Sequence, residues 1–191
     1  MHILKVVCNL TNLPMNELES NISEELRIRG QIISLSLKLE NTLTKLIYST
    51  FKPKSENKEV LNLYLEEFIL PIAFGKKISL FKKILKTENY QDKVKLYLES
   101  KPSITESRNI STINELTDFL NKKLSEILTT RNLIAHGINI NDLVSEDIDL
   151  KKGSIVFANK LKSEILDKDS LKDFTEKTLL IGFIILVISK F

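Results

Sequence analysis

The chain has 191 residues, 28 Lys and Arg against 25 Asp and Glu, a formal net charge of +3 and one cysteine, Cys8. That length fills one domain core without staples, and a lone cysteine excludes an intrachain disulfide and a zinc site built from cysteines. The mild basicity, with a pI near 8.8, tolerates a polyanionic partner without specifying one.

The opening Met1-His2-Ile3-Leu4-Lys5 lacks the charged, apolar and small-residue blocks of a secretory signal, so the expected location is the cytoplasm. The Asn-x-Ser/Thr triplets at Asn9, Asn21 and Asn109 then read as chance matches. Five glycines and four prolines beside many Leu, Lys and Glu predict an all-α chain. One domain over 1–191 is expected, with residues 1–20 an N-terminal extension that the pattern leaves unassigned, although Pro14 suits the first turn of a helix beginning near Leu13.

From about Asn21 to Phe51 the apolar residues Ile32, Leu35, Leu39, Leu43, Leu46 and Ile47 recur at spacings of three and four, which predicts one long helix with a buried stripe. Lys52-Pro53-Lys54-Ser55 ends it. A second helical segment, Leu61 to Leu70, is stopped by Pro71, because the residue before proline is pushed out of helical space. In Lys76 to Lys86, Ile78, Phe81, Ile84 and Leu85 share one side while Lys82, Lys83 and Lys86 crowd the other. A solvated lysine face is the commoner reading of such a cluster, and a surface that tracks phosphates needs much the same residues. Lys93 and Lys95 extend the positive bias.

A polar link around Lys101 to Ser111 precedes a second long helix from about Ser111 to His136, with Gly137 as its C-terminal cap in a left-handed backbone. Beyond it, Ile148-Asp149-Leu150 and Ser154-Ile155-Val156-Phe157 predict a small hairpin turning at Gly153. The last helix starts near Asp169 or Ser170. Its apolar run, Leu179 to Ile188, is shorter than the roughly 20 residues of a membrane span, so a buried or dimer-facing helix is expected. A membrane tether is the weaker alternative.

One segment carries chemistry: Arg131-Asn132-Leu133-Ile134-Ala135-His136-Gly137. At about 100° per residue, Ile113, Leu116, Leu120, Leu124 and Ile127 share one helical face and Arg131 falls on it. A guanidinium there must be paired or point into a site, since an unpaired buried charge is very costly. The chain has four arginines among 28 basic residues, so the placement is selective. Arginine's planar donor fork grips two phosphate oxygens and keeps its charge.

Asn132 and His136 share a face at i, i+4, whereas His136 is rotated about 140° from Arg131 on a regular helix. His136 occupies the last turn, where the helix dipole favours the imidazolium. It is therefore suited to proton transfer on a ribose 2′-hydroxyl or a leaving 5′-oxygen. His2 is terminal, so a mechanism that needs two imidazoles must take one from a second subunit. Glu40, beside the stripe of the first long helix, is a candidate carboxylate partner for Arg131.

Arg-Asn-x-x-Ala-His-Gly at a helix end resembles the R-x4-6-H motif of the HEPN superfamily, and Gly75-Lys76-Lys77-Ile78-Ser79-Leu80-Phe81-Lys82-Lys83-Ile84 resembles a common helix of the same family. In layout the similarity runs from about Ser23 to Phe191; identity is sharp only in these segments. The resemblance implies a HEPN-like helical bundle with a small β-hairpin insertion before the C-terminal helix. It also implies a metal-independent RNA endonuclease without a cofactor, acting as a homodimer with the site at the interface. Arg131 would hold and stabilise the phosphate, Asn132 would orient the site, His136 would transfer protons, and Lys82, Lys83 and Lys86 would contact RNA. Cleavage would leave a 2′,3′-cyclic phosphate, in toxin-antitoxin or antiviral defence, with an inhibitor protein as a further partner and no membrane.

No tyrosine follows Tyr97, so the tyrosine modification that silences some HEPN toxins is not expected. The alternative is a non-catalytic HEPN module that binds a nucleotide, RNA or a partner protein. Metal enzymes fit poorly, because the sequence has no His or Cys cluster, and no glycine-rich phosphate loop is present.

Overall fold

The structure, a computed structural model, describes residues 15–100, 102–106, 108–139, 155–158 and 163–191. Helix α1 spans Met15–Phe51, so it begins earlier than the apolar stripe indicates. Ile28, Ile32, Leu39, Leu43, Leu46 and Ile47 form its buried face. Leu35 is only half-buried, and the small Ser36, four residues after Ile32 and three before Leu39, takes the enclosed position instead.

Helix α2, Lys58–Tyr64, is capped by Asn57, whose Oδ1 accepts from the Glu59 N–H at 2.9 Å. It passes into a π-helical turn, Leu65–Ile69, closed by the Leu70 N–H on the Leu65 carbonyl at 2.9 Å. Pro71 follows and cannot continue the ladder. Helix α3, Phe74–Ile84, buries Ile78, Phe81 and Ile84 as the spacing predicts. Then come α4, Glu88–Glu99, and a short α5, Ser103–Glu106. Asn109 lies in the turn ahead of the next helix at φ 53°, a left-handed conformation that asparagine tolerates better than most residues.

Helix α6, Ile113–His136, opens on a capping box: the Glu115 carboxylate accepts from the Ser111 and Thr112 N–H groups while the Thr112 hydroxyl accepts from the Glu115 N–H. Three strands follow, β1 Ile138–Asn139, β2 Ile155–Ala158 and β3 Ser163–Leu166, in one antiparallel sheet of order β1-β2-β3. Ile138 pairs with Ala158, and Ile155 with Leu166. Ile155, Val156 and Phe157 are all buried, so this strand is covered on both faces.

The helical architecture with a hairpin before the C-terminal helix is as expected, but the described partners of Ile155–Ala158 are β1 before it and β3 after it. The expected partner Ile148–Leu150 and the turn at Gly153 lie outside the described residues. Helix α7, Lys168–Lys190, starts earlier than Asp169 or Ser170. Its cap is Asp167, whose Oδ1 accepts from the backbone N–H and the hydroxyl of Ser170, both at 2.7 Å. The acidic group one position ahead of the helix meets the donors that have no intrahelical partner.

The chain divides into two compact units. The first takes the described residues of Met1–Ser34 and Thr130–Thr175, with Leu133, Ile134, Phe157, Leu166 and Phe174 in its core. The second takes Leu35–Thr129 and Glu176–Phe191. Within it, Thr50 on α1 and Tyr90 on α4 share a hydroxyl hydrogen bond of 3.0 Å, and Lys177 on α7 reaches Glu126 on α6 at 3.3 Å. Gly75 brings α3 onto α6 closely enough that a Cβ there would stand 3.3 Å from Leu128 Cδ2.

Candidate functional site

Helix α6 stays regular to His136, which keeps Arg131 and His136 about 140° apart around the axis and Asn132 with His136 on one face. Asn132 and His136 are exposed. The stripe of Leu116, Leu120, Leu124 and Ile127 continues through Thr130, Leu133 and Ile134, all buried, so Arg131 is half-buried beside it rather than enclosed at its centre.

The end of α6 is held by contacts within the first unit. Arg29, on α1, donates from Nη1 to the Ile134 carbonyl and from Nη2 to the Gly137 carbonyl at 3.0 Å. Ile134 is among the last four residues of the helix, whose carbonyls have no intrahelical donor, so the guanidinium acts as a C-cap supplied from another helix. Its charge also suits the negative end of the helix. Arg29 is fixed in turn by Glu25, at 2.7 Å from Nε, and by the Phe157 ring, whose centroid lies 4.4 Å from Cζ.

Gly137 caps α6 for a different reason from the one expected. Its backbone is not left-handed. A Cβ would instead run into the Leu133 carbonyl oxygen and stand 3.2 Å from that of Ala158, because the chain turns at once into β1. A third tie joins α6 to β3: the Thr130 hydroxyl lies 3.4 Å from both carboxylate oxygens of Glu164.

Arg29 and Glu164 are the two residues that sequence reasoning missed. Glu164 gave no signal. Arg29 gave a weak one, as one of only four arginines, with Glu25 four residues before it.

The remaining candidates belong to the second unit. Glu40 accepts a hydrogen bond from Lys77 Nζ at 2.9 Å, with the lysine side chain 4% exposed and the carboxylate 15%. Lys77 is thus held inside by this partner. Lys83 and Lys86 are exposed and Lys82 is half-buried. Lys93 is drawn off toward the Ser189 carbonyl, 3.4 Å away. Among the described residues no three His, Cys, Asp or Glu side chains converge as metal ligands.

No family model, curated protein or solved structure matches the chain. No helix among the described residues is long and apolar enough to cross a membrane. The apolar run of α7 buries Ile181, Ile184, Ile185 and Ile188 and exposes Leu179, Phe183 and Leu186.

Proposed function

We propose that the chain is a metal-independent RNA endonuclease of the HEPN kind, located in the cytoplasm and acting in toxin-antitoxin or antiviral defence. The observation that supports this most is a half-buried arginine in the last turns of a helix whose end is pinned by Arg29, with an exposed asparagine and histidine sharing the adjacent face. Preorganised donors of this type are what phosphoryl transfer requires, since most of the catalysis is positioning and charge stabilisation.

In this reading the guanidinium of Arg131 holds two non-bridging oxygens of the scissile phosphate. The ribose 2′-oxygen attacks phosphorus, its proton leaves to a base, and the bond to the 5′-oxygen breaks as that oxygen gains a proton. The products are a 2′,3′-cyclic phosphate and a 5′-hydroxyl. His136 performs one of these transfers, Asn132 orients the reacting groups, and a second copy of the chain contributes the other imidazole. Lys82, Lys83 and Lys86 bear on the RNA backbone, and an inhibitor protein would cover the same surfaces.

Purified protein given labelled RNA in EDTA should cut it and leave cyclic phosphate ends, and Arg131→Ala and His136→Ala should each reduce the rate by a hundredfold or more. Equal cleavage by wild type and both variants would reject the proposal. Arg131-dependent RNA binding without turnover would assign the non-catalytic module instead.

A further inference from the structure

Tyr48, near the end of α1, Tyr64, which ends α2, and Phe68, in the π-helical turn, form a ladder of rings within the second unit. The Tyr48 and Tyr64 centroids lie 6.4 Å apart with planes tilted by 38°, and those of Tyr64 and Phe68 lie 5.6 Å apart with planes 25° from parallel. Tyr64 is therefore the middle rung. Both tyrosines are half-buried whereas Phe68 is 64% exposed, so the ladder is anchored at Tyr48 and ends on an open ring. Turns of the π type, like the one that carries this ring, are frequent at functional sites.

Charge identifies the occupant. Lys45 stands three residues before Tyr48 and Lys52 four after it, on the same side of the helix, and the Lys52 N–H still bonds to the Tyr48 carbonyl at 2.8 Å. Both lysines are exposed, and neither forms an ion pair among the described residues. At the other end, exposed Glu66 and Glu67 precede Phe68. A matching ligand has flat rings for the open face and anionic links that keep to the α1 side. We infer that the ladder is a stacking platform for the bases of an unpaired RNA strand, with a base on Phe68 and neighbouring phosphates on Lys45 and Lys52. Aromatic side chains stack on any base once it is released from a duplex, so the substrate class is single-stranded RNA.

The inference rests on the RNA reading for its ligand but not on catalysis, so binding is measured with a 2′-O-methyl oligoadenylate, which has no 2′-hydroxyl to attack. An oligomer of about ten nucleotides should bind more tightly than its abasic counterpart and than the same strand in a duplex. Phe68→Ala should weaken the oligoadenylate by about tenfold, leave the abasic oligomer unchanged, and keep the far-ultraviolet dichroism spectrum. The chain has no tryptophan, so Phe68→Trp places a single indole on the platform; it should bind like wild type and lose emission as a base covers it. Lys45→Ala and Lys52→Ala should each weaken both oligomers and lower the slope of log affinity against log salt concentration by about 0.7. Binding indifferent to Phe68→Ala, equal affinity for the abasic or duplex form, or an indole that does not respond would each overturn the inference. Self-association abolished by Phe68→Ala, without RNA binding, would assign the ring to a protein contact and do the same. Cleavage of RNA without Phe68-dependent binding would leave the ribonuclease reading standing, whereas Phe68-dependent binding without cleavage would reject that reading alone.

Discussion

The Arg29 guanidinium donates to the Gly137 carbonyl at 3.0 Å across 108 residues of sequence, and so fixes the helix end that carries Asn132 and His136. Arg29→Ala removes three charge-assisted hydrogen bonds, to the Ile134 and Gly137 carbonyls and to Glu25, and the contact with Phe157. It should lower unfolding stability by about 2 kcal/mol, measured in urea. Arg29→Lys keeps the charge but not the fork, and should fall between. If the helix end positions the reacting groups, both variants should lose cleavage in the same order.

Arg131→Lys separates charge from geometry. A lysine retains attraction for phosphate but presents no planar fork, so RNA affinity should change little while the cleavage rate falls by about tenfold or more. Single-turnover kinetics with binding measured separately would show it. Equal losses in affinity and rate would mean that Arg131 only binds.

Lys82, Lys83 and Lys86 contribute through charge. If all three contact the backbone of single-stranded RNA, changing them to alanine should reduce the slope of log affinity against log salt concentration by about 2. A slope that does not move would leave these lysines as a solvated face.

Lys77 is a structural residue. Its ammonium is enclosed against Glu40, and Lys77→Met removes that cation from a carboxylate of low exposure. Breaking a buried pair in this way should cost about 3 kcal/mol in urea unfolding, whereas the same change at exposed Lys83 should stay within about 0.5 kcal/mol.

Burial of the Glu126 carboxyl opposes its ionisation, but hydrogen bonds from Lys123 and Lys177 prevail and hold its pKa below the ordinary value. A carboxylate depressed in the folded state adds stability above its unfolded pKa and loses it as the pH falls through the folded one. Stability should therefore drop in the acid range, below ordinary carboxylate titration. Glu126→Gln should be less stable than wild type at neutral pH by under about 1 kcal/mol, the group being one-third exposed. The two should converge as the pH falls through the folded-state titration of Glu126.

The sequence indicates most of the helices, because a period of three and four is a local property written within each segment, whereas α4 and the short α5 fall where only a basic bias and a polar link are expected. The stripes Ile32–Ile47, Ile78–Leu85 and Leu116–Ile127 are buried largely as their spacing requires, with Ser36 in the place given to Leu35. It also singled out the Arg131–His136 segment as a helix end, since the order of Arg, Asn, His and Gly is contiguous.

What holds that end comes from packing. Arg29 is separated from Ile134 by 105 residues, and no periodicity links them. Glu40, a candidate partner for Arg131 by sequence, is brought to 2.9 Å from Lys77 by the packing of α1 and α3, a pairing that no spacing indicates. Gly137 looked like a conformational requirement. It proved a steric one, because the crowding comes partly from the Ala158 carbonyl on a strand placed there by the fold. Residues three or four apart meet wherever a helix forms, whereas residues a hundred apart meet only where packing brings their elements together.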